Sequence, residues 1–211
     1  MSTISTLARP NSFSRFISIL VIGLLLGLSG CATRSVSRTN IDEAIDLSGF
    51  WNDTDSQLVS KAMVSDCLSR SWALDWAQKE GEKPKVIVGG VSNKSMEHLN
   101  TRTFVKDLER ELTNSGKVRF VASSEQRGKI RSERADQQDN SRLETAKSMG
   151  QETGADFMLL GQIDQINDSV QGTQVRYYQV ELEMIEIESN EKVWIGQKKI
   201  KKLVEQRGFK F

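Results

Sequence analysis

Few side chains in this chain are of the types that carry out acid–base or nucleophilic catalysis. The 211 residues include one histidine, His98, and two cysteines, Cys31 and Cys67. A histidine-based triad needs a nucleophile and an orienting carboxylate beside the ring, and no spacing in the sequence marks either one. A zinc site needs several cysteine or histidine ligands. We therefore expect a protein that is not an enzyme, with no metal site and no cofactor, and we interpret His98 as a solvated surface residue.

Two other stretches superficially match catalytic patterns. Residues 89–95 (GGVSNKS) contain a Lys-Ser pair but lack the glycine directly before it that lets backbone amides wrap a phosphate. Residues 181–188 contain four glutamates, and residues 198–202 contain four lysines. Paired carboxylates can cleave glycans, but opposite charges on neighbouring strands also stabilise a solvent-facing sheet surface. We favour the second interpretation.

Cys31 is the residue for which the sequence predicts a chemical change. Arg9 and Arg15 precede an apolar run at residues 16–28. This run is shorter than the roughly 20 residues that cross a bilayer and suits the core of a signal peptide. It ends in Leu28-Ser29-Gly30-Cys31, which resembles the lipobox of bacterial lipoproteins. We predict that residues 1–30 are a signal peptide and that Cys31 carries diacylglycerol and an N-acyl chain; the alternative is an ordinary signal peptide with a chance cysteine.

The residue after the lipidated cysteine indicates the membrane. In Gram-negative lipoproteins an aspartate there favours the inner membrane, whereas this chain has Ala32. We therefore predict a lipid-anchored protein on the periplasmic face of the outer membrane. Removal of Arg9 and Arg15 leaves 27 basic residues (29 minus 2) and 28 acidic ones, a net charge of −1. This balance gives no electrostatic reason to expect nucleic-acid binding.

Hydrophobic spacing predicts a short tether followed by one globular domain. Residues 32–46 are polar and span at most about 50 Å when extended, and residues 47–211 form the domain. A helix is predicted over residues 56–79. Its expected apolar stripe consists of Leu58, Ala62, Ser65, Ser69, Trp72 and Trp76. Val59, Met63 and Cys67 lie at i, i+4 and i+8 of the same helix, so Cys67 is expected to be a buried structural thiol.

The rest of the domain alternates helices with strands and ends in consecutive strands. Helices are predicted over 101–114 and within 124–151, with a break near 136–141. Strands are predicted over 85–91, 117–121, 154–163, 175–188 and 192–200. The alternation changes phase at Met184–Ile185, which predicts a β-bulge. The order α-β-α-β-α-β-β-β predicts an α/β fold, a mixed sheet of about five strands with helices mainly on one face.

Five segments of the domain resemble one family in order and spacing. They are residues 46–55 (DLSGFWNDTD), 88–95 (VGGVSNKS), 114–121 (NSGKVRFV), 154–159 (GADFML) and 191–196 (EKVWIG). The chain resembles the LpoB family of outer-membrane lipoproteins that activate peptidoglycan synthases. The resemblance implies a fold similar to the N-terminal domain of TolB. It also implies a non-catalytic role: binding a class A bifunctional penicillin-binding protein and raising its glycosyltransferase and transpeptidase activities.

One feature departs from that family. Its members typically carry a long, proline-rich linker between the lipid and the domain, whereas the predicted tether has 15 residues and no proline. A second function therefore stays open: an accessory lipoprotein of an envelope export or secretion assembly. Operons that contain either a penicillin-binding protein or export genes would separate the two.

Exposed aromatic and arginine side chains beside rigid loops are typical of docking surfaces. On this basis we predict partner contacts at Asn93 and Lys94, in the turn after the first strand. We predict further contacts at Arg176 and Tyr177, which we expect to point away from the face that holds Tyr178.

The lipobox gives the first testable prediction. Cys31→Ser, or treatment with globomycin, should leave the precursor uncleaved, because the signal peptidase acts on the lipidated cysteine. Immunoblotting of membrane fractions measures this directly. Mature protein of unchanged size and unchanged detergent partitioning in the Cys31→Ser strain would contradict lipidation.

Overall fold

The computed structural model describes residues 37–40, 43–150 and 152–205. The chain divides into two units, residues 1–41 and 42–211, and every described helix and strand belongs to the second. Cys31 and the predicted signal peptide lie outside the described residues. Within these described ranges, no helix combines the length and the apolarity needed to cross a membrane.

Five strands form one mixed sheet in the order β2-β1-β3-β4-β5. Strand β1 pairs in parallel with β2 and with β3, and β3, β4 and β5 form an antiparallel meander. The mixed five-stranded sheet confirms the predicted fold class. The strands are β1 (Lys85–Asn93), β2 (Arg119–Phe120), β3 (Phe157–Val170), β4 (Thr173–Glu186) and β5 (Lys192–Glu205).

Helices cover one face of this sheet. The four described helices are α1 (Asp53–Cys67), α2 (Trp72–Glu80), α3 (Thr101–Asn114) and α4 (Ser124–Asn140). Helix α1 packs on α3, β4 and β5, and α3 packs on β1. The core lies between these helices and the sheet, and its fully buried side chains include Phe104, Leu108, Leu112, Leu159, Ile163 and Leu182. Helix α4 buries none of its residues.

The register of β4 and β5 contains the predicted bulge. Met184 lies opposite Trp194, whereas Ile185 lies opposite Lys192, so one residue of β5 has no partner. The extra residue is Val193 of β5. Strand β4 keeps its alternation of buried side chains through Met184, and Ile187 is 42% exposed. The bulge prediction is confirmed.

The same register contradicts the predicted pairing of glutamates with lysines. Glu181 lies opposite Gln197, and Glu183 lies opposite Ile195. Among the described residues, Glu183 pairs instead with Lys192 at 2.8 Å, and Lys199 forms no ion pair. The two charged runs are offset along the strands, so they do not face each other.

The single helix predicted over 56–79 is two helices. The indole nitrogen of Trp72 donates to the carbonyl of Cys67 at 2.8 Å and so ends α1. The predicted stripe joined Leu58 to Trp72 and Trp76 as if the helix were continuous. Because α2 starts in a new phase, that stripe is not the buried face of α1, and Leu58 is 61% exposed. Val59, Met63 and Cys67 are buried instead, and burial raises the pKa of the Cys67 thiol to about 12. An unreactive structural thiol follows.

Strands β2 and β1 differ in length from prediction, whereas the region 124–151 agrees with the prediction of one or two helices. The strand expected over 117–121 is reduced to Arg119–Phe120, which pairs with the start of β1. The region 124–151 contains one described helix, α4, which ends near the predicted break. Strand β1 continues to Asn93, past a register shift between Val88 and Gly90.

Helix α1 allows a direct test of which stripe is buried. Met63→Ala should lower the free energy of unfolding by about 2–5 kcal/mol, because it removes a buried side chain. Leu58→Ala, on the exposed side of the same helix, should change it by less than about 0.5 kcal/mol. Urea denaturation of both variants measures the difference. An equal loss of unfolding free energy in both variants would contradict the observed burial and favour the stripe predicted from sequence.

Candidate functional site

A segment at the start of the domain packs on the first residues of β4 and the last of β5. Asn52 caps α1: its side chain accepts a hydrogen bond from the backbone of Asp55 at 3.0 Å, and the Asp55 carboxylate accepts one from the backbone of Asn52 at 3.0 Å. Gly49 has a φ of +69°, and a Cβ there would lie 2.3 Å from Val204. Both constraints fix how the chain enters α1.

Lys202 of β5 holds this segment by its ammonium group. Its Nζ donates to Asp55 at 2.5 Å, to Asp46 at 2.6 Å and to the carbonyl of Phe50 at 3.1 Å. The three contacts use all three donors of a residue that is only 9% exposed. Burial lowers the pKa of Lys202, but the hydrogen bonds to the two carboxylates outweigh it, so the net pKa is raised.

Arg176 of β4 anchors the same segment one strand away. Its Nη1 donates to the carbonyl of Ser48 at 3.0 Å, and its guanidinium lies 3.5 Å from the ring centre of Phe50. Arg176 is 8% exposed. The prediction that it points away from the face of Tyr178 is wrong, because residues two apart on a strand share a face.

Glu97 connects Arg176 to the turn after β1. Its Oε1 accepts from the hydroxyl of Tyr178 at 2.6 Å and from the side chain of Gln165, and it lies 4.0 Å from Nη1 of Arg176. Its Oε2 accepts from the backbone of Trp51 at 3.4 Å. Burial, and then the neighbouring Glu97 carboxylate, raise the pKa of Tyr178. Tyr178 therefore stays a neutral donor.

Asn93 shapes the turn that delivers Glu97. Its amide donates to the Glu97 carbonyl at 2.7 Å, and its Oδ1 accepts from the backbone of Ser95 at 2.9 Å. Lys94, the next residue, uses its backbone to extend the pairing with Ile163 at 2.8 Å, while its side chain is exposed. We call the whole assembly the junction; it comprises residues 46–52 and 93–97, with Arg176, Tyr178 and Lys202.

Exposed side chains flank the junction. Leu47 is 92% exposed and Met96 is 78% exposed. The ring of Phe50 is 47% exposed, although Arg176 covers one side of it. Trp51 points the other way and contacts Phe104 and Tyr178 edge-on, with ring centres 5.9 and 5.6 Å apart. A polar layer therefore separates the core from a rim of exposed side chains, which we define as the apolar residues Leu47, Phe50 and Met96 together with Lys94.

Comparison with family models decides the relationship of this chain. Residues 55–200 match the model described as peptidoglycan-synthase activator LpoB. The chain belongs to the LpoB family. The match includes Asp55, the turn at 93–97 and Arg176, and it ends two residues before Lys202. No curated protein matches the chain.

Several solved structures are similar to this LpoB-family chain. The LpoB C-terminal domain from Salmonella enterica is 19% identical, with a TM-score of 0.39, over 72% of this chain and 99% of that one. The corresponding Escherichia coli domain is 17% identical, with a TM-score of 0.43, over 69% and 98%. Lipoprotein GNA1162 from Neisseria meningitidis is 10% identical, with a TM-score of 0.38, over 57% and 83%.

The structure distributes the four predicted contact residues of the LpoB-family domain over three environments. Asn93 and Arg176 meet through Glu97 inside the junction. Lys94 is on the rim, and Tyr177 lies on the opposite, helix-free face of the sheet, where its hydroxyl donates to Gln179 at 2.9 Å. Contact of these residues with a partner stays a prediction.

Sequence reasoning missed the two residues that organise the junction. Glu97 follows a polar turn and Lys202 follows a run of lysines, so both read as solvated residues. One signal was present: the alternation of β5 puts Lys202 on the face of Ile200, in register with Arg176. His98, beside Glu97, is exposed. Across the described ranges, no cluster of three histidine, cysteine or acidic side chains is arranged to hold a metal ion.

Lys202 gives a prediction for the stability of the junction. Lys202→Met should lower the free energy of unfolding by about 3 kcal/mol at neutral pH, because it leaves the buried Asp55 carboxylate without its counter-charge. Lys199→Met, an exposed lysine of the same strand, is the control and should change it by less than about 0.5 kcal/mol.

The pH dependence of that difference follows from the sign of the shift. The pKa of Lys202 is raised in the folded state, so its charge stabilises the fold fully at any pH below the ordinary lysine pKa of 10.5. This stabilisation is lost as the pH rises through the pKa of Lys202 in the folded protein. The difference in Tm between wild type and Lys202→Met should therefore be constant at neutral pH and shrink above about pH 10.5. A difference that instead shrinks on acidification to pH 6 would contradict the assignment to Lys202.

Proposed function

We propose that this chain is a non-catalytic, lipid-anchored protein that binds a class A bifunctional penicillin-binding protein and raises its peptidoglycan synthesis. The observation that carries the proposal is membership of the LpoB family, whose model covers residues 55–200. The proposal places the chain on the periplasmic face of the outer membrane, held by the lipid on Cys31. The lipobox and Ala32 support this location.

Activation of this kind requires unequal affinity for two conformations of the synthase. An activator shifts its partner toward the active state only by as much as it binds that state more tightly. A tenfold shift corresponds to about 1.4 kcal/mol of differential binding. A rigid docking surface suits this task, because little free energy is then spent on ordering the activator itself.

The rim of the junction is the docking surface that we propose. Interface hot spots favour large side chains held in place by rigid surroundings. Phe50 meets this description because Arg176 stacks on it and in turn bonds Ser48. Met96 follows the Asn93 turn, and its backbone donates to Gln165 at 3.3 Å. The buried polar network therefore orients the exposed apolar groups, and Asn93 and Arg176 support the surface from behind.

The predicted tether limits where this surface can act. The tether ends at Asp46, which is itself part of the junction through Lys202. At most about 50 Å of extended chain therefore connects the lipid to the end of the domain that carries the rim. Under this proposal, the partner must present its docking site within that distance of the outer membrane.

A binding titration tests the docking surface. Residues 32–211 are titrated against a purified class A synthase, and binding and glycosyltransferase activity are both measured. Met96→Ala and Lys94→Glu should each weaken binding by about 1 kcal/mol or more, roughly fivefold, without lowering the Tm. The matched controls are Leu74→Ala and Lys61→Glu, exposed residues on α2 and α1, which should bind as wild type does.

Two results would count against this proposal in different ways. Wild-type binding by both rim variants would move the docking surface elsewhere, and Tyr177→Ala in the same titration then tests the helix-free face. If the wild-type protein neither binds nor activates any class A synthase of its own cell, the proposed function as a synthase activator is wrong.

A further inference from the structure

Three arginines on one side of α4 converge on a single carboxylate. Arg127, Arg131 and Arg134 lie at i, i+4 and i+7, which places them on one helix face. Arg131 donates two parallel hydrogen bonds to Glu152, each of 2.8 Å. Nη1 of Arg134 lies 3.6 Å from the same carboxylate, and Nε of Arg127 lies 3.9 Å from it.

Packing does not account for this arrangement. Like charges three and four residues apart destabilise a helix, and α4 contributes no buried side chain to the core. Arg134 is only 23% exposed at its side chain, yet it donates no hydrogen bond within the described part of the chain. One carboxylate among three guanidinium groups leaves a local charge of +2 and unused donors.

We propose that the three arginines of α4 form a binding site for a phosphomonoester, part of which Glu152 occupies. A phosphomonoester carries about −1.5 to −2 charges at pH 7 and three acceptor oxygens, which matches the excess charge. Guanidinium groups bind such oxygens in pairs. Glu152 shows the geometry, because its two oxygens already accept from Arg131 in that paired form.

The space beside the arginines has room for the organic part of such a ligand. A pocket of about 260 Å³ lies between α4 and the start of β1, and two of the three arginines, Arg127 and Arg134, line it together with Glu152. Its walls include apolar groups of Phe120, Val121 and Ile130, together with Thr153. The two other cations of its lining, Lys85 and Arg119, are both already paired with Glu82. The α4 arginines are therefore the cations left to bind an anion there.

Calorimetric titration of the mature chain with inorganic phosphate at low ionic strength tests the site, with chloride at matched ionic strength as reference. Glu152→Gln should bind phosphate roughly fivefold more tightly than wild type, because it removes one like charge about 4 Å away. Arg131→Gln and Arg134→Gln should each weaken binding by about tenfold or more. Lys129→Gln, which removes the same charge elsewhere on α4, is the control and should bind as wild type does.

A second arm distinguishes a soluble ester from a lipid headgroup. Vesicles of phosphatidylcholine with phosphatidate are mixed with the same variants and separated by flotation. Flotation that depends on Arg131 and Arg134 assigns the site to a lipid phosphate; phosphate binding without flotation assigns it to a soluble phosphomonoester. The proposal is overturned if phosphate binds no better than chloride, or if Arg134→Gln and Lys129→Gln behave alike. Neither arm involves a synthase, so this test stands apart from the proposed function.

Discussion

The buried ammonium of Lys202 is the contact on which one end of the domain depends. It joins the final strand to Asp55, the third residue of α1, and to Asp46, where the domain begins. A buried ion pair is a weak source of net stability, because desolvation offsets most of the attraction. Its effect here is on specificity: a slip of β5 by one residue would bury Leu203 or Lys201 instead. The register of β5 against β4 is therefore fixed twice. The bulge at Met184 and Ile185 requires it, and so do the contacts of Lys202 with Asp46 and Asp55.

The junction continues from this ion pair into a layer in which each buried charge is met by another group. Arg176 faces Glu97, and Tyr178 donates to Glu97 from below. Trp51 then connects the layer to the core, because its ring contacts Tyr178 of the layer and Phe104 of the core edge-on. Polar groups that are buried and fully hydrogen-bonded define one arrangement more sharply than apolar packing does. This explains how two segments without regular structure, residues 46–52 and 93–97, can hold Phe50 and Met96 in fixed positions at the surface.

The extent to which the fold could be predicted follows from what hydrophobic patterns report. Helix α3 was predicted at its observed bounds because Phe104, Leu108 and Leu112 repeat every four residues and a glycine at 116 suits a left-handed helix cap. Gly116 has a φ of +66°. The bulge was predicted because a change of phase needs an extra residue. The burial of Arg176 and Lys202 was not predicted. A hydrophobic pattern treats every cation as exposed, so it cannot reveal a cation that is buried with its counter-charge. The gap between α1 and α2 was missed because the Trp72 indole, which hydrophobic spacing treats only as an apolar group, donates to the carbonyl of Cys67 and ends α1.

The two surfaces proposed for binding lie at opposite ends of β1. The junction includes Asn93, its last residue, whereas the pocket beside the α4 arginines includes Lys85, its first. Nine residues of strand span about 30 Å, so one ligand of moderate size cannot contact both. Coupling between them would have to pass through β1, which pairs with β3 from Val86 to Asn93 and with β2 only at Lys85 and Val86. Under the two proposals, we expect binding at the α4 arginines to leave the affinity of the rim for its partner unchanged.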